Sequence, residues 1–281
     1  MPASPDDPTS AAPRPYYPEL EAARPHWRYQ PAPDCLAGQV ILVTGAGDGI
    51  GRAAAKTFAC HGADVLLLGR TRGKLETVSD WITANTTTSP VIVPCDLELL
   101  DDTSAEALLE AVAENYGRLD GILHNASLLG PKAPLSHYPS SAWQQVMRVN
   151  SFAPFLLTRT LLPALNMSPS ASVVLTSSSV GRKARAYWGA YAVSKFAVEG
   201  MMQVFADEFE HTGRIRFNSL NPGATRTGMR ATAYPGEDPN SVDQPERKMD
   251  IYLYLFEAAS AAENGRQFDA RDWTGPRNPS L

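Results

Sequence analysis

From Gln39 onward the chain alternates short apolar runs with longer helical stretches, and this alternation limits the possible folds more than any other feature. The runs VILVT (40–44), DVLLLG (64–69), VIVPC (91–95), GILHNA (121–126), SVVLTS (172–177) and RFNSLNP (216–222) are short and nearly continuous in apolar character, as strands buried on both faces are. Between them the spacing predicts helices over Gly51–His61, Gly73–Asn85, Thr103–Tyr116, Ala142–Leu165 and Gly189–Thr212, and a short seventh strand near Arg266–Asp269 would close the sheet. Strands that alternate with helices join through right-handed crossovers. The expected fold is therefore α/β, one doubly wound parallel sheet of seven strands with helices on both faces. No repeat and no linker follows residue 39, so 35–281 reads as one domain.

Residues 1–34 differ in kind. They are dense in Pro and Ala and poor in aliphatic side chains, so they bury too little apolar surface to offset the entropy of ordering. Residues 1–15 read as a flexible tail. The cluster Tyr16, Tyr17, His26, Trp27 and Tyr29 leaves open whether 16–34 is flexible or docks, on the body or on a neighbouring subunit.

Elsewhere composition mainly excludes. A net charge of −5 disfavours nucleic acid or an anionic membrane as the main partner. Cys35, Cys60 and Cys95 are odd in number and far apart, which argues against a disulfide framework or a zinc site and for a reducing cytoplasm. The most apolar stretch, FAPFLLTRTLLPAL, is interrupted by Arg159 and Pro163 and is too short to span a membrane. The N-terminus lacks the layout of a secretory signal.

The stretch VILVTGAGDGIGRAAAKTF leaves a strand, turns on glycines and opens a helix. In that setting Gly45 allows the tight turn, Gly49 permits close approach of a pyrophosphate, and Gly51 lets the helix pack on the strand. Backbone amides and the helix dipole would then face the phosphates. The second apolar run ends in Gly69-Arg70-Thr71-Arg72 instead of an acidic residue. An acid there would bond the ribose hydroxyls, whereas Arg70 can form charge-assisted bonds to a 2′-phosphate. NADP(H) is thus expected over NAD(H), with Asp48 in the turn as a local objection.

Tyr191 and Lys195 stand four residues apart at the start of a long helix, and Ser178 lies thirteen residues before Tyr191, at the exit of the fifth strand. All three reach the carboxyl edge of the sheet, where ligands sit in such folds. Hydride transfer to a carbonyl leaves an alkoxide that must gain a proton. A phenol with a pKa near 10 holds its proton tightly. A lysine charge about 4 Å away adds about 4 kcal/mol of stabilisation to the phenolate at an effective dielectric of about 20. Tyr191 is the expected acid and Lys195 its activator, while Ser178 polarises the carbonyl. Tyr187 has no lysine four residues on and reads as pocket wall or subunit contact.

With Thr44-Gly45-x-x-x-Gly49-x-Gly51, Ser178 and Tyr191-x-x-x-Lys195 in this order, the chain resembles the short-chain dehydrogenase/reductase family, a Rossmann-type fold. The resemblance runs from about Tyr29 to the end, and TSSSVGR, WGAY, SKFA and EGMMQV are most similar to the bacterial YciK-type oxidoreductases. It implies cofactor contacts from Gly45, Asp48, Gly49, Ile50 and Gly51, from Arg70, from Asp96 and Leu97, and from Asn125 and Ala126. It implies others from Tyr191, from Lys195 on the nicotinamide ribose, and from Pro222, Gly223 and Thr227 beside the carboxamide. Asp96 reads equally as a helix N-cap or a turn former. Asn150, in VMRVNSFAPF, matches the helix asparagine that holds a relay water behind the lysine in the family. The segment HNAS (124–127) departs from the family's Asn-Asn-Ala-Gly, which puts cofactor geometry at Ser127 in question and makes His124 a core histidine before a base.

The resemblance also implies a substrate flap over 226–246, and helices Ala142–Leu165 and Gly189–Thr212 that pair across subunits in a homodimer or homotetramer. Arg182 or Arg185 could meet an anionic substrate, although a solvated or subunit-facing loop is the plainer reading. The expected function is a nicotinamide-dependent oxidoreductase acting on a small carbonyl or alcohol, with no metal. The alternative is a catalytically weak dinucleotide sensor or scaffold on the same fold.

Overall fold

The computed structural model describes residues 16–276. Seven strands form one all-parallel sheet: β1 (Val40–Thr44), β2 (Asp64–Gly69), β3 (Val91–Pro94), β4 (Gly121–His124), β5 (Ala171–Thr176), β6 (Ile215–Asn221) and β7 (Gln267–Asp269). Their spatial order is β3-β2-β1-β4-β5-β6-β7. The order reverses between β1 and β4, and a crevice opens at the carboxyl ends of strands at such a switch point.

Alternation along the strands shows why the runs are apolar throughout. Ile41, Val43, Val65 and Leu67 face one core, while Val40, Leu42, Leu66 and Leu68 face the other. The first core is covered by α2 (Gly49–Cys60), α3 (Arg72–Asn85) and α9 (Met249–Phe256). The second lies under α4 (Asp102–Tyr116), α6 (Ala153–Asn166) and α7 (Gly189–Phe209). Among the described residues no helix is long and apolar enough to cross a membrane.

Two local features differ from expectation, and a third concerns a point the sequence leaves open. The helix expected over 142–165 is two helices, α5 (Ser140–Met147) and α6, joined by a π-turn over Arg148–Phe152. Pro154, at the start of α6, has no N–H to give to the Asn150 carbonyl, and a wide turn absorbs that gap. Second, α9 was not anticipated. Its MDIYLYLF sequence is buried on every side, so it carries no one-sided periodicity to read.

Third, residues 16–34 dock on the chain's own body, whereas the tail expected over 1–15 lies outside the described residues. A short helix, α1 (Pro18–Ala23), buries Leu20 and Ala23. Tyr17 is 2% exposed and donates to Glu246 Oε1 at 2.6 Å, while the Trp27 indole donates to the Glu246 carbonyl at 3.0 Å. Arg28 completes the clasp, from its amide to Asp250 at 2.8 Å and from its guanidinium to the carbonyls of Ala270, Arg271 and Trp273.

Candidate active site

The sequence VTGAGDGIG forms the floor of a cleft of about 480 Å³ at the carboxyl edge of the sheet. Gly45 has φ +69°, which a side chain would strain, and a Cβ on Gly51 would stand 2.2 Å from the Gly45 carbonyl oxygen. Turn and helix therefore pack as closely as backbone allows. At the first turn of α2 the amides of Ile50 and Gly51 have no intrahelical acceptor. Thr44 ties β1 to β4, its hydroxyl accepting from the amides of Asn125 and Ala126 at 3.0 Å each.

The cleft is lined by Gly45, Asp48, Gly49, Ile50, Arg70, Asp96, Leu97, Asn125, Ala126, Ser178, Tyr191, Lys195, Pro222, Gly223 and Thr227. Of the site residues expected from sequence, Gly51 and Asn150 stand behind the wall. Gly51 belongs to the packing of the turn. Asn150 is 1% exposed and its amide is held by three bonds: Oδ1 accepts from Leu128 N at 2.7 Å, and Nδ2 donates to Leu128 O at 2.9 Å and Ser194 Oγ at 3.0 Å. Both amide protons are therefore used. The Asn150 backbone carbonyl lacks its usual donor at Pro154 and can accept from a water.

Tyr191 and Lys195 share a face of α7, with Lys195 Nζ 5.6 Å from the phenol ring centre. The lysine is 3% exposed and donates to the Thr176 carbonyl at 2.8 Å. Burial pushes its pKa down to about 8, against a smaller opposing pull from Glu199. Burial raises the Tyr191 phenol, and the neighbouring Ser178 hydroxyl offsets part of that rise. The Coulombic lowering expected from Lys195 is thus not what dominates at Tyr191. Ser177, the neighbouring hydroxyl, is buried without a partner among the described residues.

His124 sits in the core, its Nε2 2.9 Å from Thr158 Oγ1, and burial together with the nearby Lys195 charge lowers its pKa to about 3. Ser127 lines the cleft with its hydroxyl buried and unpartnered among the described residues. Asp96 forms the turn one reading expected, accepting from Glu98 N at 3.0 Å.

Two features were missed. Asp48 caps Gly49 N at 2.7 Å and pairs with Lys74 at 2.5 Å, and the lysine holds the carboxyl below its usual range. Helix α3 carries Lys74 to the turn, a contact that 26 residues of separation hid. The other is a group of apolar side chains beyond Tyr191: Leu129, Trp188 and Met229.

Arg182 does not face the cleft. It pairs with the buried Glu199 at 3.0 Å and donates to the Phe268 carbonyl at 2.8 Å, while Arg185 is exposed and outside the lining. The expected flap is ordered by short helices, including α8 (Gly228–Ala233). Its ends are stitched by Arg226 N to Asp243 O at 2.8 Å.

Comparison with known proteins agrees with this geometry. Residues 39–238 match the short chain dehydrogenase family. The oxidoreductase YciK of Escherichia coli K12 is 50% identical over 248 residues, covering 88% of this chain and 98% of that one. The solved structure of E. coli YciK superimposes with a TM-score of 0.85 over 87% of this chain and 100% of that one, at 50% identity. A short chain dehydrogenase of Shigella flexneri complexed with NADP gives a TM-score of 0.83 at 49% identity, over 85% of this chain and 100% of that one. Sharing half its residues with such relatives along nearly their whole length, this chain belongs to the short-chain dehydrogenase family and is an oxidoreductase similar to the YciK type.

Proposed function

We propose that the protein is an NADP(H)-dependent oxidoreductase that interconverts a carbonyl and a secondary alcohol, with Tyr191 as the general acid and base. One observation carries this reading: Ser178, Tyr191 and Lys195 converge in the same cleft as the glycine turn, at the edge where β1 and β4 part. The turn fits a pyrophosphate, because Gly45, Gly47 and Gly49 line the cleft without side chains and the first amides of α2 have no intrahelical acceptor. Bound there, NADP(H) would supply or take up the hydride at the carbonyl carbon.

The phosphate preference rests on charge. Among the described residues Arg70 has no carboxylate partner, and Lys74 neutralises Asp48, so the Arg70 guanidinium is left to meet a phosphate at the end of β2. The Shigella relative's NADP supports the same choice.

Ser178 would hold the substrate oxygen against Tyr191 Oη. In reduction, Tyr191 gives its proton to the alkoxide oxygen as charge develops there; in oxidation it takes one from the alcohol. Lys195, still largely charged near neutral pH, stabilises the phenolate once the proton leaves. A water on the Asn150 carbonyl would return the proton from solvent.

Exposed Phe152, Phe155, Val193, Phe196 and Val204 on the outer faces of the π-turn, α6 and α7 support burial against a second copy, in a homodimer or homotetramer. The test of the chemistry is Tyr191→Phe, expected to lower kcat by about 10²–10⁴-fold while NADP(H) affinity stays within about threefold by titration. Turnover within about threefold of wild type on a carbonyl panel would remove Tyr191 from the proton path.

A further inference from the structure

The half of the cleft beyond Tyr191 differs in character from the half around the glycine turn. Asp48, Arg70, Lys74, Asp96 and Glu98 gather at the turn and the ends of β2 and β3. Beside Tyr191 the charged side chains lining the cleft are Lys195 and Arg230, and both are engaged. Lys195 is buried on the Thr176 carbonyl. Arg230 grips Glu237 with two bonds of 2.6 and 2.5 Å and lies 3.7 Å from the Tyr234 ring centre.

Apart from hydroxyls such as Ser178, the remaining surface there is mainly apolar. Leu129, Trp188 and Met229 pack against Val180, Tyr191 and Ala192. The Trp188 ring centre is 5.8 Å from that of Tyr191 and 6.0 Å from that of Tyr234 in the flap. Lys132 fixes this pair from behind, its ammonium 4.8 Å from each of the Trp188 and Tyr234 ring centres and bonded to the Ala233 carbonyl at 3.0 Å. Just before Trp188, Tyr187 holds φ +70°, the one positive value at a non-glycine among the described residues. Backbone strain of that kind persists where the surroundings impose it, and here it adjoins the tryptophan of the wall.

An anionic substrate entering this end would lose hydration and find no free counter-ion among the lining side chains, Lys132 standing outside the lining on the Ala233 carbonyl, whereas a flat hydrocarbon ring would gain contact on an aromatic wall. Resting on the reading of Tyr191 as proton donor to a carbonyl, we propose that the substrate is a neutral, ring-bearing hydrophobic ketone, selected by Trp188 and Tyr234 packing against its ring. Lys132 is a positioning residue that holds the flap tyrosine against the tryptophan.

The experiment is calorimetric binding to the full chain saturated with NADP⁺, using 1-tetralone and its 6-carboxylate as probes. The neutral ketone is expected to bind about tenfold or more tightly than the carboxylate. Trp188→Ala should weaken 1-tetralone about tenfold and leave NADP⁺ affinity unchanged. Trp188→Phe should restore part of the loss, and Tyr234→Ala repeats the test should the first variant fail to bind NADP⁺. Equal or tighter binding of the carboxylate, no saturable binding of 1-tetralone, or unchanged 1-tetralone affinity in both alanine variants would overturn the proposal. Saturable, Trp188-dependent binding of 1-tetralone without its reduction by NADPH would leave the ligand class standing and count against the catalytic reading beneath it.

Discussion

Replacing Lys195 by methionine should stabilise the cofactor-free protein at pH 7 while abolishing turnover. Burial lowers the lysine pKa from 10.5 to about 8, so holding its charge inside the fold costs about 3 kcal/mol at pH 7. Methionine keeps the length and removes the charge, but leaves the Thr176 carbonyl without its 2.8 Å donor, a loss of about 1–2 kcal/mol. Glu199 is not orphaned by the change, since Arg182 and Ser219 remain bonded to its two oxygens. The balance is a gain of about 1–2 kcal/mol, or about 2–8 °C in Tm for a chain of this size. The sign reverses with pH. Because the folded pKa is depressed, the unfolded chain binds more protons between about pH 8 and 10.5, and wild-type stability rises across that window relative to the variant. Near pH 10.5 the lysine is mostly neutral in the fold, its cost is gone, and the variant should be the less stable of the two. Urea unfolding at pH 7 and pH 10 measures both. A variant less stable at pH 7, or a difference that does not move with pH, would show that Lys195 is not held in the fold against its solvation.

Three other perturbations separate the parts of the structure. His61 and His124 are buried neutral, with pKa values lowered to about 4 and about 3, so the unfolded chain takes up protons first as the pH falls below 6.5. Each should remove about 2 kcal/mol of stability between pH 7 and pH 5, and a His124→Asn variant should show a shallower acid slope in denaturant titrations; an unchanged slope would refute it. Arg70→Ala should weaken NADP(H) about 10–100-fold, as expected for loss of a charge-assisted phosphate contact, with NAD(H) affinity nearly constant; parallel losses for both would place Arg70 elsewhere. Tyr17→Phe removes the 2.6 Å donor to buried Glu246 and should lower stability by about 1.5–3 kcal/mol in urea unfolding; a change under about 0.5 kcal/mol would mean that water takes the place of the phenol.

What could be read in the sequence was local, and what could not was carried by long-range contact. The strands, the glycine turn and the Tyr191–Lys195 pair declare themselves within a few residues, because period and spacing set which face each side chain takes. Strand ends were legible only to within two residues: β4 stops at His124, not Ala126, since its neighbours β1 and β5 offer register only that far. The contact of Lys74 with Asp48 bears directly on cofactor choice, yet it depends on how α3 lies across the turn, and no local pattern in Gly73–Asn85 announces it. The arm makes the same point over a greater distance. Tyr17 and Glu246 are 229 residues apart, and a Pro-rich, Ala-rich composition that argues for disorder is overridden once a buried carboxylate and an aromatic slot formed by Lys56 and Trp81 are supplied by the rest of the chain. Because Glu246 closes the flap segment at its C-terminal end, the contacts of Tyr17 and Trp27 fix one root of the loop whose other parts carry Arg230 and Tyr234 to the cleft. The arm is therefore packed on the C-terminal root of the 226–246 segment, although none of its residues lines the cleft.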